Sequence, residues 1–93
     1  MRAAVLVNPS AGGAGDIRNV VSAIDTFLFG CEVVAANGFG GESVRANTVV
    51  QPPQGGYIGR LHGAVDALSA QRPDFYLVAG GDGLAAYLAG RLL

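Results

Sequence analysis

The sequence contains no lysine and no tryptophan, and its 93 residues include a single cysteine, a single histidine and a single methionine. Without lysine there is no Walker-type phosphate loop and no Schiff-base mechanism, so a cation that meets phosphate here must be arginine or a metal. The lone Cys31 excludes an internal disulfide and fits a reducing compartment. His62 has no metal-ligand spacing to Cys31 or any other group and reads as a surface histidine. No apolar run is long enough to span a bilayer, and the opening residues, followed at once by strand and turn chemistry, lack signal-peptide architecture. A cytoplasmic protein with no membrane partner is expected. Six arginines, scattered along the chain, stand against seven acids for a net charge of −1, which predicts no nucleic-acid footprint.

What is present is apolar and glycine-rich: 51% hydrophobic residues and 15 glycines, the composition of a globular chain. A domain of this length buries about 60 to 65% of its unfolded surface, enough for a thin core. The most informative stretch is Phe75-Tyr76-Leu77-Val78-Ala79 followed by Gly80-Gly81-Asp82-Gly83-Leu84. The apolar run reads as a buried strand of a parallel sheet, and a helix pattern resumes after it with Leu84, Tyr87, Leu88 and Leu92 on one face. A strand, a glycine turn and a helix start form a backbone anion site, because unpaired N–H groups point into the turn. A bare carboxylate repels phosphate, so Asp82 in that turn suggests a bridging divalent cation or a hydroxyl to be oriented or deprotonated. The plainer alternative is a tight turn in which Asp82 only caps the helix.

A similar strand and loop open the chain. Residues 3–7 form a buried-strand run ended by Asn8-Pro9 and followed by Ser10-Ala11-Gly12-Gly13-Ala14-Gly15. Asp16 stands where an N-cap belongs, and Ile17, Val20, Val21, Ile24 and Leu28 predict a helix over residues 16–29, ended by Gly30. A glycine loop of this kind also serves simply to turn a chain. Residues 31–36 are a third apolar run and 44–50 a candidate strand; joined through Asn37-Gly38-Phe39-Gly40-Gly41 they would make a hairpin-like excursion, with Glu42 a solvated acid at its tip. Pro52-Pro53-Gln54-Gly55-Gly56 reads as a loop within the domain. A helix follows with Ile58, Leu61, Val65 and Leu68 as its buried stripe and Arg60, His62 and Asp66 off it, stopped by Arg72-Pro73-Asp74.

Strands alternating with helices predict an α/β layered domain whose ligand sits beyond the carboxyl ends of the strands. Should the first strand and strand 75–79 be neighbours at a reversal of strand order, both glycine loops would face one crevice.

The motif Val7-Asn8-Pro9-Ser10-Ala11-Gly12-Gly13 after the first strand, with Gly80-Gly81-Asp82-Gly83 after a later one, resembles the N-terminal domain of the ATP-NAD kinase and diacylglycerol kinase superfamily. Gly38-Phe39-Gly40-Gly41-Glu42 is similar to an element of its ATP-NAD kinase (AcoX-like) branch, and the resemblance covers essentially the whole chain. It implies a three-layer α/β/α domain with a mostly parallel sheet, spanning residues 1–93 as the nucleotide-binding N-terminal part of a longer kinase. It further implies transfer of phosphate from ATP to a hydroxyl acceptor, NAD-like, with Mg2+. Asn8, Ser10, Gly12 and Gly13 would help bind the nucleotide, and Gly80, Gly81 and Gly83 would line its phosphates. Asp82 would act on the acceptor hydroxyl or hold Mg2+.

Two departures accompany the resemblance. Leu84 stands where family members usually carry threonine, and the family's second, mostly β domain, which completes the acceptor site, has no counterpart in residues 1–93. A chain without that domain is expected to pair with it or with a second copy, as a homodimer, and to be inactive by itself. Two other readings remain. Gly81-Asp82-Gly83-Leu84-Ala85-Ala86 fits the G-x-G-x-x-A of a non-catalytic dinucleotide-binding module, although the ribose-binding acid expected about 20 residues further on has no place. A degenerate interaction domain that keeps the fold without the chemistry is the other, and Leu84 is the feature that argues for it.

Overall fold

The structure is a computed structural model that describes residues 1–8, 17–80 and 82–92. Its elements run β1 (Arg2–Val7), α1 (Ile17–Phe27), β2 (Glu32–Ala36), β3 (Thr48–Val50), α2 (Tyr57–Ala70), β4 (Phe75–Ala79) and α3 (Asp82–Leu92). The four strands form one sheet in the order β3-β2-β1-β4, every pairing parallel. The expected α/β architecture is therefore present, in three layers.

Alternation along β1 sorts the two cores. Ala3, Val5 and Val7 point to the face covered by α1, where Ile24 and Leu28 are buried among Val33 and Ala35. Ala4 and Leu6 point to the opposite face, under Leu61, Ala64, Val65 and Leu68 of α2 and Leu84 and Leu88 of α3. Covered on both faces and paired on both edges, β1 is the centre of the fold, with Ala3 to Leu6 at 0% exposure. The sequence predicts a buried parallel strand over 75–79. Those residues form a parallel strand, but β4 pairs with β1 alone and lies at the sheet edge, so all five of its residues are only half-buried.

The hairpin expected between 31–36 and 44–50 is absent. Parallel pairing of β2 with β3 requires the chain to return to the start of β2 before it pairs, which an ordinary two-residue turn cannot do. Residues 37–47 make that return, with Phe39 packed on the α2 face and Val44 and Ala46 in the core under α1. Asn47 fixes the landing point: its amide donates to the Val33 carbonyl, and the Val33 amide donates to Asn47 Oδ1, both at 2.8 Å. Only 48–50 remain as strand.

α1 ends at Phe27, two residues short of the expected 29, and a turn closes the run at Gly30. The Cys31 amide donates to the Leu28 carbonyl at 2.8 Å and Gly30 takes φ +88°, a glycine C-cap. On α2 the buried stripe is Leu61, Ala64, Val65 and Leu68, while Ile58 is 61% exposed. Ile58 lies in the first turn, at the carboxyl edge of the sheet, where the strand surface gives out. On α3, Leu84 and Leu88 are buried, Tyr87 is half-buried and Leu92 is exposed. The 52–56 loop stays within the domain, its Pro53 ring packed against Gly63 of α2.

At the amino end of the sheet, the Arg2 guanidinium donates to Glu32 Oε2 at 2.8 Å and to the Gln71 carbonyl. The hydrogen bond from Arg2 holds the Glu32 carboxyl below its ordinary pKa. A depressed carboxyl contributes stability that is present above the unfolded pKa and lost as pH falls through the folded one. In urea titrations the destabilisation caused by Glu32→Gln should accordingly be constant above about pH 5 and shrink below the ordinary carboxylate pKa of about 4.3. Because both side chains are well exposed, the effect is small. A pH-independent difference between the two proteins would rule the pair out as its source.

Candidate functional site

β1 and β4 leave the sheet side by side. Val7 is the register partner of Ala79, and the Asn8 amide donates to the Ala79 carbonyl at 2.9 Å, carrying the ladder one residue past β1. Strand order reverses here: β2 and β3 extend to one side of β1 and β4 lies on the other. Reversals of this kind open a crevice at the carboxyl ends of the strands.

Of the residues singled out by sequence, Asn8 and Gly80 are brought together. A Cβ on Gly80 would stand 3.1 Å from Asn8 Cβ and 3.3 Å from Leu84 Cδ2, so close packing of the two strand exits favours glycine there. Asp82 is the first residue of α3, at the mouth of the same turn. Gly83 follows it in an exposed position with nothing within 4 Å of where its Cβ would be, a property it shares with Gly59 and Gly90. Open space at Gly83 is thus no mark of a ligand by itself. Ser10, Gly12, Gly13, Gly81, the proposed cap Asp16 and the Asp82 carboxylate lie outside the described residues and side chains.

The element 38–42 closes the crown from the β2 side. Val7 donates its amide to the Phe39 carbonyl at 2.8 Å, and the Phe39 ring is buried at 1% exposure. Gly40 takes φ +97°, and a Cβ on it would stand 2.8 Å from Val7 Cβ. Glu42 is exposed, as expected of a loop acid, yet it also braces the turn, because its Oε2 accepts the Gly38 amide at 2.7 Å. Packing on β1 and β2 explains Gly40 and Gly41, and a φ of +85° explains Gly38.

Two residues that no sequence motif singles out also reach this end of the sheet. Tyr57, the first residue of α2, packs its ring 5.8 Å from Phe39, and Asn8 Nδ2 approaches its hydroxyl at 3.4 Å, a long and weak hydrogen bond. Arg60, one turn on, lays Nη1 3.5 Å from the place of a Gly38 Cβ. Its guanidinium has no ion-pair or hydrogen-bond partner among the described residues. The signal for both was position: they occupy the first turn of a helix that starts straight after a strand and a glycine loop. In a chain without lysine, Arg60 is a cation at the carboxyl ends of the strands.

Among the described residues no group of three or more His, Cys, Asp or Glu is placed to hold a metal. A metal held mainly by protein is therefore not supported there. No described helix is long and apolar enough to cross a membrane. Comparison with protein-family models, with curated proteins and with solved structures finds no match to this chain.

Proposed function

We propose that the chain is the nucleotide-binding part of a cytoplasmic phosphotransferase that moves phosphate from ATP to a hydroxyl acceptor, NAD-like. The observation that supports it is the adjacency of the two glycine-loop exits, Asn8 and Gly80, at the reversal of strand order. Phosphates at this end would meet the backbone amides opening α3, and the Arg60 guanidinium lies on the same end for the charge. Asp82 would accept the proton of the acceptor hydroxyl while the acceptor oxygen bonds the γ-phosphorus and the bond from that phosphorus to the leaving ADP oxygen breaks. Mg2+ bound with the nucleotide would be held by the Asp82 carboxylate and would neutralise the phosphate charge. The rest of the acceptor pocket comes from a further domain or a second copy of the chain.

One observation favours a second reading. Leu84, 5% exposed, sets hydrocarbon beneath Gly80 where a threonine hydroxyl would assist at the phosphates, as in a domain that keeps the fold without the chemistry. Calorimetric titration of ATP with and without Mg2+, on the wild type and on Asp82→Asn, separates the two. The kinase reading expects binding that needs Mg2+ and weakens about tenfold in the variant, the loss of one charged contact. Absence of binding to the wild type favours the degenerate domain.

A further inference from the structure

A cavity of about 720 Å3 lies away from the β1/β4 crevice, between α1 and the return segment that joins β2 to β3. Arg18, Ser22, Thr26 and Phe29 line it from the α1 side, and Ser43 and Arg45 from the return segment. A second hollow of about 270 Å3 shares Asp25, Phe29 and Arg45 with it and reaches Cys31, so the two form one groove along the helix. The geometry points to a binding site for a small organic anion with an apolar, aromatic-sized body.

Charge argues for an anion. Although the chain as a whole carries −1, Arg45 stands at the groove, and among the described residues that line it Asp25 is the one acid. That acid is already engaged, since its Oδ1 accepts the Arg45 backbone amide at 3.0 Å. This bond ties the return segment to α1 and fixes the width of the groove. The Arg45 guanidinium itself has no partner among the described residues and is exposed at the groove, where a carboxylate, sulfonate or phosphate could take both of its parallel donors. Three hydroxyls, of Ser22, Thr26 and Ser43, offer further donors along the walls.

Shape and apolarity argue for the body. Phe29 is 90% exposed, and Val21 stands on the helix beside the groove. A large aromatic surface left in water gains when an apolar body covers it, and the volume lies within the roughly 300 to 1,000 Å3 of small-molecule sites. Apolar body and anionic head together specify the ligand class. The groove does not depend on the kinase reading, because no residue of the crevice lines it.

Fluorescence titration with two probes of the same ring system tests this. Anilinonaphthalene sulfonate carries the anion, and phenylnaphthylamine lacks it. The wild type should bind the sulfonate saturably, one per chain, and the neutral probe more weakly. Arg45→Ala should weaken the sulfonate about tenfold and leave the neutral probe unchanged. Phe29→Ala should weaken both, and Arg91→Ala, a substitution on α3 across the sheet, neither. All three residues lie at the surface and none belongs to the buried core, so the fold survives their removal. Equal binding of the two probes, or sulfonate binding untouched by Arg45→Ala, would each overturn the proposal.

Discussion

Phe39→Ala should lower the stability of the domain by about 3 to 5 kcal/mol, the cost of emptying a fully buried aromatic site. Phe39 heads the largest fully buried side chains, although it belongs to a turn and not to a helix or strand. It lies among Leu6, Ala36 and Leu61 on the α2 face, and its backbone carbonyl accepts the Val7 amide. Truncation thus opens a cavity at the carboxyl ends of β1 and β2 and removes the ring on which Tyr57 rests. Total stability for a domain of this size is about 5 to 15 kcal/mol, so a large fraction goes with one side chain. Urea unfolding is the measurement, with Phe39→Leu as the companion variant, expected to cost no more than about 1.5 kcal/mol because it keeps most of the volume. A loss below about 1 kcal/mol for the alanine variant would show that the turn is not anchored by this ring.

Gly40→Ala should cost about 3 kcal/mol and lower the melting temperature by about 15 °C, for two separable reasons. At φ +97° an L-residue is strained, and the new methyl would stand 2.8 Å from Val7 Cβ and 2.9 Å from Val7 Cγ2. Gly30 isolates the first contribution: it has φ +88° and nothing within 4 Å of its Cβ position. Gly30→Ala should therefore show the backbone cost alone, about 1 kcal/mol. Thermal unfolding of both variants gives the difference, which is the steric share borne by Val7. Equal losses would mean that β1 shifts freely away from the turn. That would contradict the buried, doubly paired position of Val7, held by β4 on one side and by Phe39 on the other.

How far the sequence could be read depended on whether local chemistry or distant contact decides a feature. The apolar run of β1, the periodic stripe of α1 and the stop at Gly30 are local, and they appear where composition places them. Edge against centre is not local. The run Phe75-Tyr76-Leu77-Val78-Ala79 is as apolar as residues 3–7, and only the number of paired neighbours separates them. Direction of pairing was hidden for the same reason, because Val44 reads as a strand residue whether it joins a ladder or plugs the α1 face. In the site, the pairing of the Asn8 and Gly80 exits was legible as a condition on strand order, and the sheet meets that condition. Tyr57 and Arg60 were not, because neither sits in a glycine motif, and the groove beside α1 depends on a return segment that the hairpin expectation had placed elsewhere.

The pairing of β4 with β1 also sets a timetable. Arg2 and Asp74, 72 residues apart, clasp backbone and side chain at the start of that ladder, whereas β2 reaches β1 across one short helix. Closing the longer loop is entropically dearer, so β1, α1 and β2 can assemble while β1 still lacks its second neighbour. On a ribosome adding about 5 to 20 residues per second, that vacancy lasts for several seconds. Until β4 arrives, Asn8 has no Gly80 beside it. The crevice therefore closes late, after β1, α1 and β2 can have assembled, and any nucleotide that binds there would act as a latch on a fold whose β2 side is already in place.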